Sequence, residues 1–79
     1  MLNVSFEIFS METTFQTDKI LEGAILIIYN SFGQVVKKIE SISGSTITLY
    51  RDNLKSGIYL FSVEDENKIF AAGKVLIID

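Results

Sequence analysis

The chain contains no cysteine, histidine, proline or tryptophan. Without thiols there is no disulfide scaffold, no thiolate nucleophile and no zinc knuckle. Without imidazole, the usual proton shuttle near neutral pH and the commonest transition-metal ligand are both missing. Basic residues are scarce, seven against ten acidic ones, for a net charge of −3. Nothing in that balance displaces counterions from a phosphate backbone, so nucleic acid is not an expected partner. Long apolar runs are absent too. The longest is Ala24–Tyr29, far short of the roughly 20 residues of a membrane-spanning helix. Met1–Ser10 has neither the basic n-region nor the apolar h-region of a signal peptide.

What remains is 79 residues, 48% of them hydrophobic, which places 1–79 as one folded domain rather than a disordered tail. Area scaling gives a chain of this size about 63% burial of its unfolded surface, one thin core without a deep catalytic cleft. The charge is spread evenly, −2 over residues 1–50 and −1 over 51–79. Linkers, low-complexity tracts and internal repeats are lacking.

Short β-branched and aromatic runs separated by turn residues dominate the pattern. Asn3–Phe9 alternates Val4, Phe6 and Ile8 with Ser5 and Glu7, which predicts one wet face. Thr13–Thr17 carries Phe15 between polar neighbours. Ala24–Tyr29 is apolar on both faces, as a central strand covered on each side would be. Ser45–Tyr50 sets Ile47 and Leu49 against Thr46 and Thr48. Gly57–Val63 sets Tyr59, Phe61 and Val63 against Ile58 and Leu60. Lys68–Ile78 sets Val75 and Ile77 against Leu76 and Ile78.

A seventh segment, Gly33–Ile42, is ambiguous. Phe32, Val35, Val36, Ile39 and Ile42 recur at three- and four-residue spacing, a helical stripe. Yet glycines bracket it closely, its apolar residues suit a strand equally well, and no other helix exists for it to pack against. It is assigned as a strand. Gly33, Gly44 and Gly57 are assigned to turns, with Asn67 taking the left-handed position of a two-residue Glu66-Asn67 hairpin. About seven short strands in one small domain predict an all-β, immunoglobulin-like antiparallel sandwich. With no proline to blunt its edges, Lys37, Lys38, Lys68 and Lys74 are the candidate gatekeepers.

Three stretches then stand out in order. Ile28–Lys37 reads IYNSFGQVVK, Asp52–Val63 reads DNLKSGIYLFSV, and Gly73–Asp79 reads GKVLIID, with Thr13-Thr14-Phe15 upstream. Together they resemble the C-terminal sorting domain of the type IX secretion system of Bacteroidetes-type Gram-negative bacteria, over roughly Phe9 to Asp79. The resemblance implies a non-catalytic seven-stranded sandwich at the end of an exported cargo protein. It implies recognition in the periplasm by outer-membrane components of the secretion machinery, followed by release or attachment at the cell surface. The residues it ties to that recognition are Gly73, Lys74, Val75, Leu76, Ile77, Ile78 and Asp79. Such domains commonly open with a Pro-Asn-Pro-Phe-like element. Here Phe6-Glu7-Ile8-Phe9-Ser10 keeps only the Phe and a Ser, so a proline-bent opening is replaced by an ordinary strand pattern.

Other readings compete with this one. Glu64-Asp65-Glu66 clusters carboxylates at a turn, but Ca²⁺ wants about six to eight oxygens and no EF-hand-like spacing is present. No metal or cofactor is therefore expected. Three tyrosines and six phenylalanines would suit a sugar-stacking platform, but most alternate into the core. Carboxylate pairs without a positioned partner do not make a general acid–base site, so the chain is not expected to be an enzyme. The rival to sorting is a free-standing structural or adhesive module, dimerising through an edge such as Ser45–Tyr50.

Overall fold

Alternating apolar and β-branched residues give strands wherever turn chemistry does not interrupt them, and the computed structural model, which describes residues 3–79, contains five. They are β1 (Asn3–Phe9), β2 (Glu12–Tyr29), β3 (Val35–Tyr50), β4 (Gly57–Asp65) and β5 (Lys68–Ile77). All belong to one hydrogen-bonded sheet in the order β1-β5-β4-β2-β3. The fold is all-β, with no helix among the described residues, and Gly33–Ile42 enters β3 as a strand from Val35 onward.

The count is five rather than seven because two predicted breaks are bends. Thr13–Thr17 and Ala24–Tyr29 are one strand, β2, and Gly33–Ile42 and Ser45–Tyr50 are parts of one strand, β3. Gly23 and Gly44 sit at the bends with φ of +75° and +98°, a region that only glycine enters freely. The β2–β3 ladder shifts register between Gln16/Leu21 and between Glu22/Ala24 but continues past them, as β-bulges allow. Gly44 is thus a bend inside a strand, not a turn between two. A second difference is direction: β1 pairs with β5 in parallel, Phe6 beside Lys74 and Ile8 beside Leu76, so the sheet is mixed rather than purely antiparallel.

True turns lie elsewhere. Asn30 closes the β2–β3 hairpin: its Oδ1 accepts from the amides of Phe32 and Gln34 at 2.9 and 3.0 Å, and its carbonyl accepts from the Gly33 amide at 3.0 Å. Glu66 and Asn67 both have positive φ, 55° and 62°, as a two-residue type I′ hairpin requires. Gly57 opens β4 with φ of +145°.

β2 pairs with β4 only from Ile25 to Tyr29, whereas its ladder with β3 reaches Glu12 and Tyr50. The free half of that hairpin turns back across the sheet. Its Phe15 ring lies 5.0 Å from that of Phe61 on β4, tilted by 37°. Between these layers lies one core, built from Leu26 and Ile28 of β2, Ile47 and Leu49 of β3, Phe61 and Val63 of β4, and Val75 and Ile77 of β5, with Phe9 and Leu21 beside them. Two backbone bonds close the far end, Arg51 N–H to Met11 carbonyl and Ile78 N–H to Phe9 carbonyl, both 2.9 Å.

The alternation in β1 is opposite to expectation. Phe6 and Ile8 face solvent, and Phe9 is buried. Phe9 pairs with buried Ile77 and Glu7 with buried Val75, so position 9 fixes which face turns inward and the apolar pair is left outside. The second face of Ala24–Tyr29 is likewise only half-covered: Ile25, Ile27 and Tyr29 are half-buried.

Candidate recognition surface

The residues singled out at 73–79 sit on an interior strand. β5 has β1 on one side and β4 on the other, so both backbone edges of Gly73–Ile77 are occupied. Addition of a partner strand to β5 would require β1 to leave. The strand's period of two then divides the segment. Gly73, Val75 and Ile77 are buried, whereas Lys74 and Ile78 are exposed and Leu76 is half-buried. Half of the segment is core and half is available to be touched.

Neighbouring strands extend the outward half. Lys74 is flanked by Phe6 and Leu60, and Leu76 by Ile8 and Ile58. Directly opposed residues share a face, so these side chains form one apolar surface around a single lysine. A shallow depression of about 360 Å³ lies in it between Tyr29, Leu60, Ala72 and Lys74. None of the ion pairs among the described residues involves Lys74. Lys74 does not guard a sheet edge, because β5 is flanked there by both β1 and β4. The lysines of edge strand β3 do: Lys38 pairs with Glu40 at 3.2 Å, and Lys37, opposite buried Ile28, bonds to Asp52 and to the Tyr50 carbonyl.

Asp79 is held by Arg51, whose Nη2 lies 2.6 Å from its Oδ1. The same guanidinium donates to the Leu54 carbonyl at 2.9 Å and, through Nη1, to the carbonyls of Ile78 and Ser10 at 3.3 and 3.4 Å. One side chain therefore ties the end of β5 to the β1–β2 corner and to the loop before β4. Spacing gave no hint of this hub. The available signal was that Arg51 is the only arginine in the chain, and a planar five-donor fork suits several acceptors at once.

The acidic trio does not converge. Asp65 points inward with its side chain 1% exposed, Glu64 is half-buried and Glu66 is exposed. No group of three potential metal ligands occurs among the described residues. Asp65 is answered instead by Lys19, whose Nζ stands 3.0 Å from Oδ2, although no donor reaches either oxygen with full hydrogen-bond geometry. Lys19 also lies 5.7 Å from the centre of the Phe70 ring. Its pKa is raised above the ordinary 10.5, chiefly by its contact with Asp65, with burial opposing and the charges of Asp65, Glu66 and Glu22 adding to the rise.

Tyr59 is buried with its hydroxyl donating to the Lys55 carbonyl at 2.6 Å, and Tyr50 is exposed. A cleft of about 360 Å³ opens beside the core between Phe15, Ile47, Phe61 and Phe70, with Asp18 the sole ionisable group on its wall. That wall offers no acid–base pair.

Comparison with known proteins adds one positive result. The family described as "Secretion system C-terminal sorting domain" matches residues 1–79, the full length of the chain. No curated protein matches it.

Proposed function

Since the chain belongs to the secretion-system C-terminal sorting-domain family, we propose that it is the sorting module of a type IX cargo. In this reading outer-membrane components of the machinery bind the folded domain in the periplasm, and the cargo joined ahead of it is exported to the cell surface or beyond. The module contributes recognition, not catalysis. Gly73–Asp79 belongs to the recognised region, with Lys74, Leu76 and Ile78 in contact and Gly73, Val75 and Ile77 holding the strand in the core. The observation that carries the proposal is the family match over the whole chain, whose last motif, GKVLIID, begins in interior strand β5 and ends just beyond it.

The test is a periplasm-directed reporter with residues 1–79 fused at its C-terminus, in cells with and without a working type IX translocon. Export only in the competent cells is the expected result. Reporter retained in the periplasm of both strains would remove the proposal. Deleting 74–79 is a poor substitute, because it removes the end of an interior strand, with buried Val75 and Ile77, and disrupts fold and signal together.

A structural or dimerising role is the second reading, favoured by one observation: β3 lies at the sheet's edge over 16 residues. Lys37 pointing inward, the charged Lys38–Glu40 pair and the bulges facing β2 are devices that discourage strand addition there. Sedimentation of the purified chain distinguishes the two, a concentration-dependent dimer supporting the second.

A further inference from the structure

Family membership says that the domain is recognised, not where. Three strands decide which atoms a partner can reach. Along β5 the inward residues are committed to the core, leaving Lys74, Leu76 and Ile78, and cross-strand pairing places Phe6 and Ile8 on one flank and Ile58 and Leu60 on the other. Phe6, Ile8, Ile58, Leu60 and Ile78 are each between 41% and 55% exposed. Their exposed parts amount to roughly 450 Å², comparable with the largest apolar patch on an ordinary monomer, a size that often marks function.

Charge chooses the occupant. A standard stable interface takes about 800 Å² from each partner, so this patch would be the apolar centre of a contact and not the whole of it. An isologous contact centred on β5 would bring two Lys74 ammonium groups toward each other. Lys74 stands among Phe6, Leu60, Ala72 and Leu76 with no acid opposite it on β1 or β4. A lysine at the centre of an apolar face, without an ion pair of its own among the described residues, calls for a carboxylate from outside. The depression beside it, between Tyr29, Leu60 and Ala72, has room for one aliphatic side chain.

We propose that the outward face of β1, β5 and β4 is the docking surface for a partner protein that seats an aliphatic side chain in the Tyr29–Leu60–Ala72 depression and sets a carboxylate against Lys74. This rests on the sorting reading and names the surface on which it operates. The readable signal is a composite face, to which Phe6, Ile8, Ile58 and Leu60 contribute as much as the final residues do.

The experiment uses the whole domain fused to the reporter in translocon-competent cells. Ile8→Lys, Ile58→Lys and Lys74→Glu are compared with Lys74→Arg and with two off-face controls, Ile20→Lys and Phe32→Lys. Thermal melts of the purified variants establish that they fold. Export should fall at least about tenfold for the three face variants, as the loss of a central interface contact implies, should stay near the unsubstituted level for both controls, and should fall less for Lys74→Arg, which keeps the charge, than for Lys74→Glu. Normal export of the folded face variants would overturn the docking surface while leaving the sorting reading intact. Retention of the unsubstituted fusion would overturn both. A dimer dispersed by Ile58→Lys would identify a second copy as the occupant. Capture by anionic vesicles that Lys74→Glu abolishes would identify a lipid surface. Either outcome contradicts the partner proposed.

Discussion

Arg51 holds Asp79: the guanidinium Nη2 stands 2.6 Å from the carboxylate, and the same side chain bonds to the carbonyls of Leu54, Ile78 and Ser10. The two members are unequal. Asp79 is largely exposed, and such ion pairs are worth about 0–1 kcal/mol. The guanidinium satisfies several carbonyls at a closed corner, where charged hydrogen bonds are worth about 1.5–3 kcal/mol each at most.

Arg51→Ala should therefore destabilise the domain by about 2 kcal/mol, and Asp79→Asn by under about 1 kcal/mol. Arg51→Lys should recover only part of the loss, because an ammonium cannot reproduce the fork. Urea titrations of the three variants check the order. Equal losses for Arg51→Ala and Asp79→Asn would mean that the ion pair, not the carbonyl bonds, is what matters.

Phe61 joins the two layers through its contact with Phe15. Phe61→Ala removes a buried ring that little else can replace, and a loss of about 3–5 kcal/mol is expected. Phe32 has the same composition but lies exposed in the β2–β3 turn. Phe32→Ala should change stability by less than about 0.5 kcal/mol. Paired denaturation curves decide the matter.

Gly33→Ala and Gly44→Ala separate space from conformation. A Cβ at either position meets nothing within 4 Å, but φ is +83° and +98°. Each substitution should cost about 1–2 kcal/mol through backbone strain alone. Gly44→Ala should in addition straighten the bend in β3 and weaken the Phe15–Phe61 contact. Near-ultraviolet circular dichroism should then change for Gly44→Ala and not for Gly33→Ala.

The Lys19–Asp65 pair makes stability depend on pH at the alkaline end. The folded-state pKa of Lys19 is raised above 10.5, first by its contact with Asp65. A cation favoured by folding contributes fully below its unfolded pKa, and the contribution is lost as pH rises through the folded one. The urea midpoint should thus fall above pH 10.5 more steeply in the unsubstituted chain than in Lys19→Met. That variant should be less stable at neutral pH, since buried Asp65 then lacks its counter-ion.

Local chemistry made the strands and the hairpin turns readable. Asn30 and the Glu66-Asn67 pair name their turns through side-chain acceptors and positive φ. The alternation in Gly57–Val63 and Lys68–Ile78 grouped Tyr59, Phe61 and Val63 on one face and Val75 and Ile77 on another without saying which faces turn inward, and the structure buries both groups. What failed depended on pairing. Gly23 and Gly44 look like strand ends in one dimension because a glycine that bends a strand and one that terminates it have the same composition. β1 carries the same alternation whether Phe6 and Ile8 or Glu7 and Phe9 face the core. Only its parallel register with β5, setting Phe9 beside Ile77, decides between them. For the proposed docking surface, the family motif drew attention to Gly73–Asp79, but Phe6, Ile8, Ile58 and Leu60 lie far away in sequence and join that face only through the ladder. Arg51 and the Lys19–Asp65 pair are long-range contacts of the same kind, invisible until the chain is folded.

The most direct test asks whether Gly73–Asp79 acts as part of a folded sheet or as a linear tag. Leu26→Asp buries an unpaired carboxylate in the core and leaves every residue from 27 to 79 unchanged. The reporter fusion carrying it should accumulate in the periplasm, full-length and unexported, while the unsubstituted fusion leaves the cell. Export of the unfolded variant at the unsubstituted rate would show that the tail is read as bare sequence, and would contradict the account.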